Sequence, residues 1–309
     1  MHAVDDQEHA AIHAQELTKH YGRSRGIEDV SFTVSGGEVF GFLGPNGAGK
    51  TTTIRVLMGL LRATGGEARI FGHNVWADGV AARACTGYLP GEFAWHEQVT
   101  GEELLDLFAD LRGVGDRAYA RTLAARFDAD LTRPIGELSR GNRQKVGLIQ
   151  ALVHRPPLVV MDEPTTGLDP LMQEEFADLV DELRASGTTV FLSTHNLPEV
   201  ERMCDRVALL RDGRLVAVET VAEITGRGFR HVTLVFDRPV PPGEFGRLDG
   251  VESVRADGAR LTFTVTGDLD AILRTAGRHR VVDMEVARPS LEEAFVAFYD
   301  HPAAEVASR

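Results

Sequence analysis

The sequence is poor in cysteine, in basic charge and in long apolar runs, and each shortage excludes a class of protein. Two cysteines among 309 residues, Cys85 and Cys204, lie far apart, so neither a disulfide framework nor a zinc site is indicated. No apolar run approaches the roughly 20 residues that span a bilayer. The first residues, Met1 to His9, are polar and acidic where a signal peptide is basic and then apolar. We therefore expect a soluble, cytoplasmic globular protein.

The shortage of basic charge bears on the partners of the protein. The formal net charge is -13, which argues against nucleic acid as a partner because such binding depends largely on neutralised phosphates. If the protein works at a membrane, we expect another chain to provide the span. The length and the hydrophobic fraction of 43% leave room for one large domain and a small one.

What the chain does contain is a glycine-rich segment between a predicted strand and a predicted helix. It reads Gly44-Pro45-Asn46-Gly47-Ala48-Gly49-Lys50-Thr51-Thr52, with two glycines five apart followed by lysine and a hydroxyl residue. In that setting, unpaired N–H groups and the positive end of the helix dipole converge where the glycines let a polyphosphate approach. We expect Lys50 to reach the β and γ phosphates of a nucleotide and Thr51 to ligate Mg²⁺.

Strands alternate with helices on both sides of this loop, which predicts an α/β fold with a mostly parallel sheet covered on both faces. Residues 12–34 predict a hairpin-like antiparallel part, and apolar residues at helical spacing predict a helical insert at about residues 92–137. The other predicted elements are a helix from Thr52 to about Leu61, a helix over Val75–Arg83, strands over Thr86–Leu89, Leu158–Met161 and Thr189–Leu192, and helices from Arg140 to about His154 and over Glu174–Ala185.

The domain boundaries follow from shifts in this pattern. We expect a mobile tail at residues 1–10, a nucleotide-binding domain at 11–221 and a small α+β domain at 222–309. In the last of these, alternation predicts strands around Leu234, around Phe263 and over Val281–Val286. A helix is predicted over Leu269–Ala276, and a capping box at Ser290 predicts a final helix.

Several side chains outside the loop are candidates for chemistry. Asp162 and Glu163 follow an apolar strand, where an aspartate can hold the Mg²⁺ shell and a glutamate can polarise the attacking water. His195 follows the next strand, at the edge where open α/β sheets bind ligands. Tyr21 either stacks on a nucleotide base or packs against its own sheet. Ser139-Arg140-Gly141 opens a helix as a second anion site or as an ordinary N-cap.

These segments together carry a family resemblance. After the phosphate loop come, in order, Leu138-Ser139-Arg140-Gly141-Asn142-Arg143-Gln144, Leu158 to Pro164, Gly167-Leu168-Asp169-Pro170 and Ser193-Thr194-His195. This order resembles the nucleotide-binding subunit of an ATP-binding cassette (ABC) transporter over residues 12 to about 220. The resemblance implies a P-loop NTPase core that binds ATP and Mg²⁺. It also implies a head-to-tail dimer in which the serine-glycine signature of one copy closes on the ATP held by the other.

Residue by residue, the resemblance assigns roles. It makes Tyr21 the base-stacking aromatic, Gly44 to Thr52 the phosphate loop and Asp162 the metal-shell aspartate. It makes Glu163 the catalytic base and His195 the switch histidine, and it gives Ser139, Gly141 and Asp169 contacts across the dimer.

The chain departs from the pattern of the family in two places. Gly91-Glu92 stands where a glutamine usually follows the Tyr88-Leu89-Pro90 segment, which makes Glu92 a candidate stand-in as a metal ligand. The signature reads Ser-Arg-Gly-Asn where Ser-Gly-Gly-Gln is commoner. Near the end, Pro289 to Phe295 is similar to the C-terminal extension of daunorubicin-type drug-export ATPases, which favours export.

Three functional hypotheses follow. The first is an ATPase subunit that dimerises on ATP and drives a separate membrane permease, held by it at the inner face of the membrane. The permease would dock on the helical insert. The second is a soluble cassette ATPase that acts on ribosomes or DNA, and the third is a nucleotide-binding regulator that barely turns over. Retained Glu163 and His195 argue against the third, and the single cassette and acidic charge argue against the second.

Overall fold

The computed structural model describes residues 10–22, 24–226 and 229–287. These residues form two compact units, divided between Glu219 and Thr220. Most of the predicted N-terminal tail and the helix predicted from Ser290, with the Pro289 to Phe295 segment, lie outside the described residues.

The first unit is built on two sheets. Its strands are, in chain order, β1 (Ala10–Tyr21), β2 (Ser24–Ser35), β3 (Val39–Leu43), β4 (Gly65–Ile70), β5 (His73–Asn74), β6 (Thr86–Leu89), β7 (Leu158–Asp162), β8 (Thr189–Thr194), β9 (Arg206–Arg211) and β10 (Arg214–Thr220). Strands β2, β1, β4 and β5 form an antiparallel sheet, and the others follow the order β10-β9-β3-β8-β7-β6. Because β9, β3, β8, β7 and β6 run parallel, their carboxyl ends share one edge.

Several helices of this unit begin or end at residues other than the predicted ones. They are α1 (Lys50–Leu57), α2 (Gly79–Ala84), α3 (Gly101–Leu111), α4 (Ala118–Arg126), α5 (Arg140–Leu152), α6 (Pro170–Ala185) and α7 (Leu197–Met203). The prediction that the first helix reaches Leu61 is wrong, because Gly59 adopts a left-handed φ of 65° just after it. Helix α6 begins four residues before the predicted start, where Asp169 caps it and Pro170 occupies its first turn.

The helix predicted over Val75–Arg83 is also wrong in its first half. Asn74 belongs to β5 and pairs with β4, and its side-chain Oδ1 accepts from the N–H groups of Trp76 and Ala77 at 3.0 Å. Such an asparagine turn competes with the helix for the backbone donors, so the helix starts only at Gly79.

Four phenylalanines join the two sheets in the core. Phe32 of β2 lies against Phe40 and Phe42 of β3 and against Phe191 of β8, with ring centroids 5.4 to 5.9 Å apart. Aromatic pairs of this kind contribute about 0.5–1.5 kcal/mol each beyond their buried area. The cluster therefore holds the antiparallel sheet beneath the strands that lead into the phosphate loop and into His195.

The helical insert is a small packed layer of its own. Its first helix, α3, starts with a capping box between Thr100 and Glu103. Leu104 packs with Ile135, Leu138 and Val146, so the insert shares a core with the start of α5. The predicted insert is thus formed by α3 and α4, packed beside the helix that follows the serine-glycine segment.

The second unit is a four-stranded antiparallel sheet with helices. Its elements are α8 (Val221–Gly226), β11 (Phe229–Phe236), β12 (Val251–Asp257), β13 (Arg260–Thr266), α9 (Asp270–Ala276) and β14 (Val281–Ala287), with strand order β12-β13-β11-β14. The sequence predicted three of these strands and missed β12. In β12 a register shift lies between Glu252 and Arg255, and Ser253 has a φ of 55°. Such a bulge breaks the alternation by which strands are recognised.

Every helix within the described residues is too short or too polar to cross a bilayer.

Candidate nucleotide-binding site

Three loops meet at the carboxyl edge of the parallel sheet. The phosphate loop follows β3, Asp162 ends β7 with Glu163 directly after it, and His195 follows β8. Because β3, β8 and β7 are neighbours in the sheet, these loops lie side by side. The prediction that the loop, the acidic pair and the histidine share one edge is confirmed in the described residues, and this edge is where α/β sheets bind ligands.

The phosphate loop depends on glycine at two positions. A Cβ on Gly44 would lie 2.4 Å from the carbonyl oxygen of Leu210. Gly49, which precedes the first residue of α1, has a φ of 108°, and a Cβ there would lie 2.6 Å from Cγ2 of Ile27. The backbone therefore turns tightly enough to aim the start of α1 into the loop.

Lys50, the first residue of α1, lies inside the loop. Its Nζ donates to the carbonyl oxygens of Gly44 at 2.7 Å and Pro45 at 3.3 Å, and it lies 3.2 Å from Oε1 of Glu163. Lys50 is only 6% exposed, so its ammonium group is held within the loop by carbonyl oxygens and one carboxylate. A phosphate at this position would meet a positive charge that is already oriented.

Asp162 is buried and receives two hydroxyl donors. The Thr51 Oγ1 donates to its Oδ2 at 2.7 Å, and the Ser193 Oγ donates to its Oδ1 at 2.5 Å. Burial, and then the Asp162 carboxylate, raise the pKa of Tyr88 on the adjacent strand to about 12. Ser193 was not predicted as a site residue; its signal in the sequence is a hydroxyl two residues before the histidine, at the end of a buried strand.

Glu163 has a strained backbone and a side chain with three partners, one of which is Thr166, whose Oγ1 donates to Oε2 at 3.3 Å. The φ of Glu163 is 53°, in the left-handed region that non-glycine residues rarely adopt, and its N–H donates to both the carbonyl oxygen and the Oγ of Ser193 at 3.1 Å. Its Oε1 faces Lys50, and its Oε2 lies 2.8 Å from Nδ1 of His195. Since an ionised carboxylate only accepts, Nδ1–H of His195 is the donor.

Tyr21 lies beside the phosphate loop with an exposed ring. Its hydroxyl is 3.4 Å from Oγ1 of Thr52, and its ring lies over Gly26, where a Cβ would be 2.8 Å from Cε2. The ring lines the same cavity as Lys50 and Thr51. Of the two readings of Tyr21 that the sequence left open, this exposure favours a ring available for stacking over one packed into the sheet.

The loop after β6 brings Gly91 and Glu92 to the same place. A Cβ on Gly91 would lie 3.1 Å from Oδ2 of Asp162, so a side chain there would touch the oxygen that Thr51 contacts. Glu92 lines a cleft of about 450 Å³ together with Thr51, Asp162 and His195. With Gly91-Glu92 in place of the usual glutamine, the Asp162 carboxylate therefore faces a glycine on this side and has a second carboxylate nearby.

Ser139, Gly141 and Asp169 are not brought into this cleft, whose lining residues do not include them. Ser139 Oγ accepts from the Asn142 N–H, and Asp169 Oδ1 accepts from the Met172 N–H, both at 3.1 Å. Both side chains therefore cap the helices that they precede. From this segment only Arg140 reaches the cleft.

Comparison with known proteins connects this geometry with a family. The family model described as "ABC transporter" matches residues 27–166. The chain is 35% identical to the daunorubicin resistance ATP-binding protein DrrA3 of Streptomyces coeruleorubidus, covering 93% of this chain and 95% of that protein. The chain belongs to the ABC transporter family.

Other ABC proteins are similar over part of their length. The chain is 34% identical to mouse ATP-binding cassette sub-family A member 7, covering 92% of this chain but spanning only 14% of that protein. A solved ATP binding subunit of an ABC transporter superposes with a TM-score of 0.65 at 33% identity, covering 70% of this chain and 92% of the other. The dimeric bacterial cassette MJ0796 shares the fold. It superposes with a TM-score of 0.63 at 24% identity, covering 68% of this chain and 98% of the other.

Membership of the ABC family defines the substrate and the reaction class. The chain binds ATP and is an ATPase, and its α/β core is the P-loop fold of that family. The oxygen donors at Thr51 and Asp162 also suit Mg²⁺, which proteins hold through one or two carboxylates together with substrate phosphates. Within the described residues, no group of three or more His, Cys, Asp or Glu side chains is arranged to hold a metal alone.

Proposed function

We propose that this ABC ATPase works as a head-to-tail pair of identical chains, hydrolyses ATP at two shared sites, and drives a separate membrane permease that exports a drug-like or other hydrophobic compound. The observation that carries the proposal is that Ser139 and Gly141 do not line the cleft of their own chain, although Arg140 between them does. The family resemblance implies that Ser139 and Gly141 contact a nucleotide. A second copy of the chain would therefore present them to the nucleotide bound in the first.

The exposed start of α5 supports this pairing. Ser139 and Arg140 are exposed, and the helix begins with N–H groups that attract anions. A partner's phosphate loop would bring ATP to them, while Tyr21, Lys50 and Thr51 hold the nucleotide from the other side. ATP would then lie between two copies, which makes dimerisation depend on ATP.

Within one site, the side chains divide the work. Lys50 neutralises charge on the β and γ phosphates, and the Thr51 hydroxyl with Asp162 would hold Mg²⁺, with Glu92 as a further carboxylate. When bound, Mg²⁺ would neutralise charge that develops on the phosphate oxygens. Glu163 accepts a proton from the attacking water, and His195 donates through Nδ1 to Glu163, which fixes the direction of that carboxylate.

The helical insert offers a surface for the permease. Leu107 and Leu111 lie one turn apart on α3 and are 54% and 72% exposed. Large apolar side chains exposed together are typical of an interaction surface. Export, rather than import, is supported by the similarity to daunorubicin resistance ATP-binding proteins over almost the whole chain.

A test of the pairing uses Glu163→Gln, which we expect to bind ATP but hydrolyse it at least about 100-fold more slowly than wild type. With ATP and Mg²⁺ this variant should elute as a dimer in size exclusion with light scattering. Adding Ser139→Arg should return it to a monomer, whereas adding Ser186→Arg, at an exposed serine elsewhere, should not. Unchanged hydrolysis in Glu163→Gln, or a dimer that tolerates Ser139→Arg, would contradict the proposal.

A test of the permease surface uses a Leu107→Glu/Leu111→Glu variant. Purified from solubilised native membranes, the wild-type chain should carry a multi-span protein with it, and the variant should lose that protein while keeping its own ATPase rate. Leu60→Glu is the control, because Leu60 is 62% exposed outside the insert. Recovery of ribosomes or nucleic acid instead of a membrane protein would reject transport.

A further inference from the structure

One carboxylate outside the cleft joins two of its loops. Glu199 lies in the first turn of α7 and accepts hydrogen bonds on both carboxylate oxygens. The Thr165 Oγ1 donates to its Oε1 at 2.6 Å, and the Thr194 Oγ1 donates to its Oε2 at 2.7 Å. Thr165 stands two residues after Glu163, and Thr194 immediately precedes His195.

The two threonines have little freedom to find other partners. Thr165 is 6% exposed and Thr194 is 2% exposed, so neither hydroxyl can turn to solvent. The carbonyl oxygen of Thr194 also accepts from the N–H of Gly44, at the start of the phosphate loop, at 3.3 Å. Asn196 Nδ2 donates a third hydrogen bond to the Glu199 carboxylate, on Oε1 at 3.1 Å. The Glu199 carboxylate thus holds the loops after β7 and β8 at a fixed separation.

The distance that this separation controls is the one between the proposed base and the proposed switch residue. Oε2 of Glu163 and Nδ1 of His195 lie 2.8 Å apart, and neither residue is fixed by a regular element, because both follow the ends of strands. Glu199 itself is not among the residues that line the cleft, so we expect any effect on the substrate to be indirect.

We propose that Glu199 is a positioning residue for ATP hydrolysis, which sets the distance between Glu163 and His195 by joining the loops that carry them. The proposal rests on the roles proposed above for Glu163 and His195. Charge-assisted hydrogen bonds suit this task because they are short and directional. A shift of about 1 Å between catalytic groups can lower a rate about 100-fold without weakening substrate binding.

The test compares Glu199→Ala and Glu199→Gln with Glu201→Ala, an exposed glutamate on the same helix, in the full chain. We expect Glu199→Ala to lower kcat about 10- to 100-fold and to change KM for ATP less than about threefold, since Lys50 and Thr51 keep their contacts. Glu199→Gln keeps one acceptor oxygen and should retain at least about threefold more activity than Glu199→Ala. Glu201→Ala should behave as wild type.

A double-mutant cycle separates positioning from a general loss of structure. If Glu199 acts through His195, removing it from a His195→Ala background should lower kcat less than about threefold, although it costs far more in the wild type. If the kcat losses of Glu199→Ala and His195→Ala simply multiplied in the double variant, the proposal would be overturned. A wild-type kcat in Glu199→Ala, with His195→Ala impaired, would overturn it as well. A wild-type kcat in His195→Ala would instead overturn the assigned role of His195 and this inference with it. If Glu199→Ala does not fold, Thr165→Val takes its place in the same cycle.

Discussion

The Ser193 hydroxyl offers a stringent test of the site, because it joins the two acidic residues. Its Oγ donates to Oδ1 of Asp162 at 2.5 Å and accepts from the Glu163 N–H at 3.1 Å, and Ser193 is fully buried. In Ser193→Ala, Asp162 keeps its bond from Thr51 but loses one donor. The carboxylate then remains in a buried site with less stabilisation.

The magnitude follows from the kind of bond that is lost. A hydrogen bond to a charged group contributes about 1.5–3 kcal/mol to stability. For a unit of the size of Met1–Glu219, each kcal/mol corresponds to about 2–4 °C in Tm. We therefore expect Ser193→Ala to lower the Tm of this unit by about 3–12 °C, with about 6 °C as the central value.

The assay is differential scanning calorimetry of the wild type and of matched serine variants. Ser186→Ala is the control, since Ser186 is exposed and its Oγ bonds neutral groups, the carbonyl oxygen of Leu183 at 2.7 Å and Oγ1 of Thr188 at 3.3 Å. It should cost less than about 0.5 kcal/mol. In an Asp162→Asn background, Ser193→Ala should cost at least about 1 kcal/mol less than in the wild type. A Tm change no larger than that of Ser186→Ala, or strict additivity with Asp162→Asn, would refute the reasoning.

Three further predictions concern the nucleotide, the metal and pH. Tyr21→Ala should weaken ATP binding about 5- to 100-fold in a fluorescent-nucleotide titration because a stacking ring is lost, whereas Tyr21→Phe should bind as wild type. Glu92→Ala should raise the Mg²⁺ concentration for half-maximal ATP hydrolysis several-fold, whereas the control Glu97→Ala, at an exposed glutamate, should not. If Glu92→Ala and wild type showed the same Mg²⁺ dependence, Glu92 would not be a metal ligand. Burial, and then the Arg112 charge, lower the pKa of His154 to about 4 from an ordinary 6.5. The unfolded chain therefore binds a proton at His154 more readily than the folded one, and stability should fall as the pH drops from about 6.5 to about 4. Measurements of Tm against pH should show this fall in the wild type and a less steep fall in His154→Leu.

The features that were predicted correctly from the sequence are those formed by contiguous residues. The phosphate loop, the apolar strand before Asp162 and the strand before His195 are each local patterns, and the parallel sheet then places them at one edge. Ser193 and Glu199 could not be found in this way, because their roles depend on bonds that cross between loops. Ser193 contacts Asp162 from a neighbouring strand, and Glu199 contacts Thr165 from a helix more than thirty positions away.

The boundary errors have local physical causes of the same kind. Asn74 turns the chain before α2 through its side chain, and the bulge at Ser253 disguises β12, so that in both places a specific hydrogen-bonding or backbone choice overrides the apolar pattern. Two of the site residues that the sequence proposed, Ser139 and Asp169, cap helices in their own chain. A side chain that caps a helix is held at its exposed end, so capping and contact with a second copy are compatible.

The backbone at Glu163 explains how two consecutive acidic side chains serve one cleft. In a strand, successive side chains point to opposite faces, so Asp162 and Glu163 would diverge if β7 continued. The left-handed φ of 53° at Glu163 turns the chain at that point, and both carboxylates line the same cleft. This conformation costs about 1–2 kcal/mol in a non-glycine residue. The two bonds from the Glu163 N–H to the Ser193 carbonyl and Oγ offset that cost. Ser193 therefore fixes the direction of both carboxylates, Asp162 through its side chain and Glu163 through its backbone.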